Sequence, residues 1–191
     1  MSTLKVNTIL PKSGTSVTLG ESGKTITIPS GTTIANSGTA TGFGGDNTPY
    51  FSAQRSSGQS IGDNVETKII FDSEIVDSDG CYDHSSTGRF TPTTAGKYLI
   101  NATCGLTADA QDAFINGFLI VKKNGTQIAA QYQSDSTQTG RERPFSVTVI
   151  ADMNGSSDYV EVFGKVDRTG SGNAQALGSN RSTFSGLKLI D

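Results

Sequence analysis

The sequence predicts an all-β protein, an antiparallel sandwich over residues 46–191 preceded by a thin extended segment. Three observations carry this. Apolar residues alternate with period two along many short runs, as in "KYLINATCGL", where Tyr98, Ile100, Ala102, Cys104 and Leu106 share one face. No stretch sustains an apolar period of 3.6. Turn residues punctuate the runs, above all Asn124-Gly125 and Asn154-Gly155, the pair that hairpins favour because both positions accept positive φ.

Residues 1–12 open the chain with "STLKVNTILPK", in which Leu4, Val6, Ile9 and Leu10 are apolar and Pro11 ends the run. A strand added to a platform protein would satisfy this backbone and bury those side chains. Residues 13–45 repeat Ser-Gly at 13–14, 22–23, 30–31 and 37–38. Each repeat supplies one or two apolar residues in β alternation, such as Val17 with Leu19 and Ile26 with Ile28. One copy cannot bury Leu19, Ile26 and Ile28. Three copies wound about a common axis can turn them inward and exclude water. The Gly-rich "GFGGDN" at 42–47 reads as a neck, since the Lys-Ser/Thr of a phosphate loop is missing.

Nine runs after the neck read as strands: 50–55, 67–72, 88–91, 97–106, 114–122, 126–133, 144–152, 158–166 and 182–190, with a short piece at 74–76. In "PFSVTVIAD", Phe145, Val147 and Val149 share a face. In "YVEVFGKV", Val160, Val162 and Val166 alternate with Glu161 and Lys165, and Phe163 falls on the polar side. Pro92 follows a short strand, where a missing N–H costs little.

The 191 residues carry a net charge of −3 with only 17% charged side chains. No basic excess exists to neutralise phosphates, so nucleic acid is not an expected partner. No run approaches 18 apolar residues, and the N-terminus lacks an export signal's hydrophobic stretch, so neither membrane insertion nor export is expected. Cys81 and Cys104 fit no zinc spacing and read as reduced, structural thiols. The Asn-x-Ser/Thr matches at Asn101, Asn124, Asn154 and Asn180 would stay unmodified in a chain that is not exported.

Catalytic chemistry is sparse. His84 is the sole histidine and sits in the polar turn "DHSSTG" with no nucleophile placed beside it by motif. "FDSEIVDSDG" holds Asp72, Glu74, Asp77 and Asp79, but the first position of a calcium loop would be Ile75, which offers no oxygen. The stretch reads as a solvated acidic loop. No enzyme activity, cofactor or metal is expected.

Phe71-Asp72 ends an early run; Tyr82-Asp83, Thr87-Gly88, Phe90-Thr91-Pro92 and Gly96-Lys97-Tyr98 follow. Asp158-Tyr159-Val160 opens a later run, and Thr183-Phe184-Ser185-Gly186 stands in the last. This collinear set resembles the globular-head family of complement C1q, within the C1q/tumour-necrosis-factor (TNF) superfamily. The resemblance implies a ten-stranded jelly-roll sandwich that assembles as a compact trimer, here on an extended β-repeat trimeric stem. Some relatives bind calcium, which leaves a carboxylate site open. The stem is not collagen, which needs Gly at every third residue. "MSTLKVNTI", the Ser/Thr/Gly repeat and the head together are similar to virion proteins of tailed bacteriophages, especially short fibre-like proteins of marine phages.

That similarity implies a homotrimeric virion fibre made in the host bacterial cytoplasm. Its N-terminus would be anchored on other virion proteins, and its head would meet a host cell-surface protein or glycan. A capsid or neck decoration protein without host binding is the second reading. A glycan depolymerase is the third, against which stands the lack of a carboxylate pair at a defensible spacing. Alternating connections would put the long loops 56–66, 82–87, 107–113, 134–142 and 167–180 at the end far from the stem, and tight turns at the near end. The expected contacts at that tip are Asp109, Asp112, Asp135, Arg141 and Arg168.

Overall fold

The computed structural model describes residues 8–38, 47–108, 110, 113–135 and 141–190. The chain divides into two units, Met1–Phe43 and Gly44–Asp191.

In the first unit the described residues form neither strand nor helix, and all but Pro11 are exposed. The Ser-Gly repeat has a local cause. Lys24 N–H donates to the Glu21 carbonyl at 3.0 Å and Thr32 N–H to the Pro29 carbonyl at 3.1 Å. Ser22-Gly23 and Ser30-Gly31 are therefore the central pairs of two tight turns, with Gly23 and Gly31 at φ 76° and 82°. Between turns, Leu19, Ile26 and Ile28 are 61%, 56% and 46% exposed. Among the described residues of this unit nothing buries them.

The second unit forms eleven strands among the described residues: β1 Tyr50–Gln54, β2 Gln59–Ile61, β3 Thr67–Lys68, β4 Ser73–Asp77, β5 Ala95–Thr107, β6 Phe114–Lys123, β7 Thr126–Ser134, β8 Glu142–Asn154, β9 Val160–Arg168, β10 Ala174–Ala176 and β11 Thr183–Lys188. Seven make one sheet, with β8 and β11 flanking β5 and β1 then β4 beyond β11. Four make the other, in the order β3-β9-β6-β7. The named pairings are all antiparallel. This is the expected jelly-roll sandwich.

Alternation places the core where expected: Tyr98, Ile100, Ala102, Cys104 and Leu106 of β5 are all at most 1% exposed. Phe51 stacks on Tyr82 and Phe90 at ring-centre distances of 4.7 and 4.6 Å and meets the edge of Phe184 at 4.8 Å. Gly186 makes room for this cluster, because a Cβ there would lie 2.9 Å from the Phe51 ring. Both cysteines are buried and free. Burial pushes the Cys104 thiol up to about 12 and, with Asp77 beside it, raises Cys81 as well. Neither thiol is poised to react.

Register defines the two ends. Ala95 faces Asn154 and Thr107 faces Glu142; Lys188 faces Tyr98 and Tyr50 faces Leu187. The first and last strands therefore begin and end near Ala95 and Asn154, the end called near below. Asn124-Gly125 closes a two-residue hairpin there, with φ 50° and 79° and Lys123 opposite Thr126.

Several expectations need correction. The run at 67–72 is a strand only at Thr67–Lys68, because the chain then crosses to the other sheet, where Ser73 pairs with Gln54. The run at 88–91 forms only bridges, Phe90 to Tyr82 and to Val160. Asn154-Gly155 is not a hairpin: β8 pairs with β5, β9 pairs with β6 and β3, and the turn carries the chain between sheets. Asn154 instead accepts from the N–H groups of Ser156, Ser157 and Asp158, each at 3.0 Å. The loops 56–66 and 167–180 contain β2 and β10, which pair together with Ala174 opposite Ile61. Ala174 and Ala176 are fully buried, and short alanine and polar runs carry no strand signal. Glu161, assigned to the solvent phase, is 3% exposed.

Candidate binding surfaces of the head

The far end gathers the long connections. Asp109 and Asp112 lie outside the described residues. Arg141 is exposed, and its carbonyl accepts from the Ala108 N–H at 2.9 Å and the Thr107 hydroxyl at 3.1 Å. Asp135 is only 7% exposed and its Oδ2 accepts from Arg143 Nη2 at 2.5 Å. Arg168 is 8% exposed, with its Nη1 donating to the Ser171 carbonyl at 2.9 Å and its backbone N–H to Asp63 Oδ1 at 3.1 Å. Asp135 and Arg168 are thus built into the tip as supports, and of the expected contacts that are described only Arg141 faces solvent. Arg181 and Glu142, which sequence reasoning passed over, form an open ion pair at 3.0 Å beside them.

The 82–87 connection does not belong to this tip. Phe90 bridges Val160 near the Asn124-Gly125 end, and His84 Nδ1 lies 3.3 Å from Oε2 of Glu74, the second residue of β4. Asp83 accepts from the Thr87 N–H and hydroxyl and from Ser85 and Ser86, and the Thr87 bonds first, then Ser85, hold its carboxyl well below the usual range. The acidic stretch is likewise spent on its own backbone: Asp77 accepts from the Tyr82 N–H at 2.8 Å and the Asp79 N–H at 3.3 Å. Among the described residues no group of three His, Cys, Asp or Glu side chains could hold a metal ion.

The outward face of the seven-stranded sheet has a different character. Ile150, Leu99, Leu187 and Tyr50 sit opposite one another across β8, β5, β11 and β1. Ile150, Tyr50 and Leu187 are 57%, 39% and 36% exposed. The next row is Thr148, Asn101, Ser185 and Ser52, and the next Ser146, Thr103, Thr183 and Gln54. Asn101 donates to Thr148 at 2.7 Å, and the Thr103 and Thr183 hydroxyls lie 2.7 Å apart. These rows hold no charge. A cleft of about 520 Å³ over Gly105 and Pro144, rimmed by Glu142 and Arg181, continues the face towards the far end. The signal was present in the sequence: Leu99, Ile150 and Leu187 are large apolar residues on the polar phase of their strands.

Of the residues expected to dock, Leu4 and Val6 lie outside the described residues, and Ile9 and Leu10 are 54% and 77% exposed.

Residues 50–189 match the family described as the C1q domain. Three solved structures share the fold. The globular domain of zebrafish complement 1qA protein superposes with a TM-score of 0.51 at 13% identity, over 74% of this chain and 98% of that one. Murine APRIL gives 0.54 at 10% identity, over 74% and 98%. The vertex protein of phage PRD1 gives 0.52 at 18% identity, over 76% and 99%. No curated protein sequence matches the chain.

Proposed function

The chain belongs to the C1q domain family, and on that footing we propose that it is a homotrimeric virion fibre protein whose head binds the bacterial surface and whose N-terminal segment docks on other virion proteins. Domains of this family typically form homotrimers and are in general binding modules rather than enzymes. The observation that carries the reading is the band of three charge-free rows on the outward face of the seven-stranded sheet. A monomer leaves Tyr50, Leu99, Ile150 and Leu187 in water, whereas copies packed about a three-fold axis cover them at about 25 cal/mol per Å² of apolar area. The exposed Leu19, Ile26 and Ile28 of the first unit have the same need. The likeness to a phage vertex protein supports a place on a virion.

Sedimentation equilibrium tests the assembly: the wild type should run at three times the chain mass, and I150D with L187D at the chain mass. A monomeric wild type would refute the trimer. The word vertex in that neighbour's name also favours the second reading, a decoration protein on the capsid. Gold-labelled protein seen by electron microscopy at the tail supports the fibre. Label at capsid vertices or neck supports decoration.

A further inference from the structure

The four-stranded sheet also has an outward face, and it carries aromatic rings that the core does not use. Tyr132 of β7 is 54% exposed and lies against Phe118 of β6 with ring centres 4.7 Å apart. Phe163 of β9 is half-buried on the same face, with Lys122 Nζ 4.5 Å from its ring centre. Lys165 Nζ stands 6.0 Å from the Phe118 ring. The charges here are unequal. Lys68 and Arg89 share Glu161, Lys122 pairs with Glu66, and Asp167 accepts from Asn116 at 3.1 Å. Lys165 has no ion pair among the described residues, so the face holds a cation without a carboxylate partner on a chain whose net charge is −3.

We propose that this face binds an acidic polysaccharide, one whose sugar rings carry carboxylates. The chemistry is complementary on two counts. The Tyr132 and Phe118 rings offer an apolar surface to the C–H face of a sugar ring and leave its hydroxyls in water. Lys165, its Nζ 6.0 Å from the Phe118 ring centre, offers an ammonium within reach of a sugar's carboxylate. A neutral glycan would use the rings and leave the lysine idle. A trimer built on the opposite sheet keeps this face in solvent on all of its subunits, so weak single contacts add by avidity. The proposal rests on the reading of the head as a surface-binding module, but not on the tip loops or on the position of the protein in a particle.

The test is calorimetric titration of the full chain with alginate hexasaccharide, which carries a carboxylate on every ring, and with cellohexaose, which carries none. Alginate should bind the tighter by about tenfold at low salt, with the difference shrinking as salt is added. Lys165→Gln should bring alginate down to the cellohexaose level. Tyr132→Ala should weaken both by about tenfold, and Tyr132→Phe should restore them, which separates stacking from a general loss of fold. Absence of binding to either saccharide at millimolar concentration would overturn the proposal, as would binding that neither substitution alters. So would self-association that Tyr132→Ala abolishes, since that would assign the face to a second copy. No virion is present in the titration, so a failure here leaves the fibre reading to be decided by particle labelling.

Discussion

Glu161 sits on the solvent phase of β9 between two inward valines, yet its side chain is 4% exposed. Lys68 Nζ reaches its Oε1 at 2.5 Å and Arg89 Nε at 2.9 Å. Burial works against its charged form, but the two cations outweigh it and hold the carboxyl below the ordinary 4.5. A carboxyl depressed by folding stabilises the fold above its unfolded value, and that contribution is lost as pH falls through the folded value. The contribution of Glu161 should therefore be present above pH 4.5 and be lost in more acid solution. Glu161→Gln should cost about 2 kcal/mol at neutral pH and flatten the acid decline, read from urea unfolding across a pH series. An equally steep decline in the variant would assign the acid sensitivity to other carboxylates, such as Asp72, whose burial is outweighed by the Ser56 N–H and hydroxyl and by Arg55. Gly186 is the steric counterpart. Gly186→Ala pushes a methyl group against Phe51 and Ile100 at 2.9 and 3.0 Å, and should lower stability by about 1–3 kcal/mol.

Strand β8 shows how an element manages its own hazard. One edge pairs with β5 along its whole length. On the other, Gln131 Oε1 accepts from the Ser146 N–H at 2.6 Å and Gln133 Nε2 donates to the Pro144 carbonyl at 2.6 Å. Side chains from β7 thus occupy backbone groups that would otherwise template another strand. Replacing Gln131 and Gln133 with Ala should speed hydrogen exchange at Ser146 while leaving β5 amides protected. Unchanged exchange at Ser146 would mean that the sandwich itself shields this edge. Strand β10 makes a second case. Replacing all of 167–180 with a Gly-Ser linker removes Ala174 and Ala176 from the core, and should lower Tm by about 10 °C or more. Replacing only 169–173 keeps β10 and should lower it by only a few degrees, so that shorter swap is the fair test of the tip in host adsorption.

For the whole molecule, one cause recurs in both units: apolar residues in alternating phase that a single chain cannot cover. In the head they lie on the outward face of the larger sheet; in the first unit they are Leu19, Ile26 and Ile28. Ile26→Ser with Ile28→Ser should make residues 13–45 protease-sensitive while the head stays folded and trimeric. A wild-type segment that is cut as fast as the variant would count against an ordered stem. Deleting residues 2–11 should abolish incorporation into particles without changing the trimer mass, and normal incorporation would exclude them as the dock.

Period-two alternation and Asn-Gly punctuation were enough to read the sandwich, the inward face of β5 and the 124–125 hairpin, because these depend only on local geometry and on which side chains avoid water. The residues shared with C1q heads identified the family for the same reason: aromatic and glycine positions at set spacings answer to one packing. Pairing partners were not legible. Asn154-Gly155 looks like a hairpin in sequence, and only the assembled sheets show that its flanking strands part. β2 and β10 are short and weakly patterned, and exist because each completes the other's backbone bonding. The burial of two of the expected tip residues was not legible on similar grounds. Sequence assigns Asp135 and Arg168 to loops and hence to solvent, whereas the folded chain brings Arg143 to one and the Ser171 carbonyl to the other. Local periodicity is a property of neighbours along the chain; burial of a charge depends on partners that only the tertiary fold supplies.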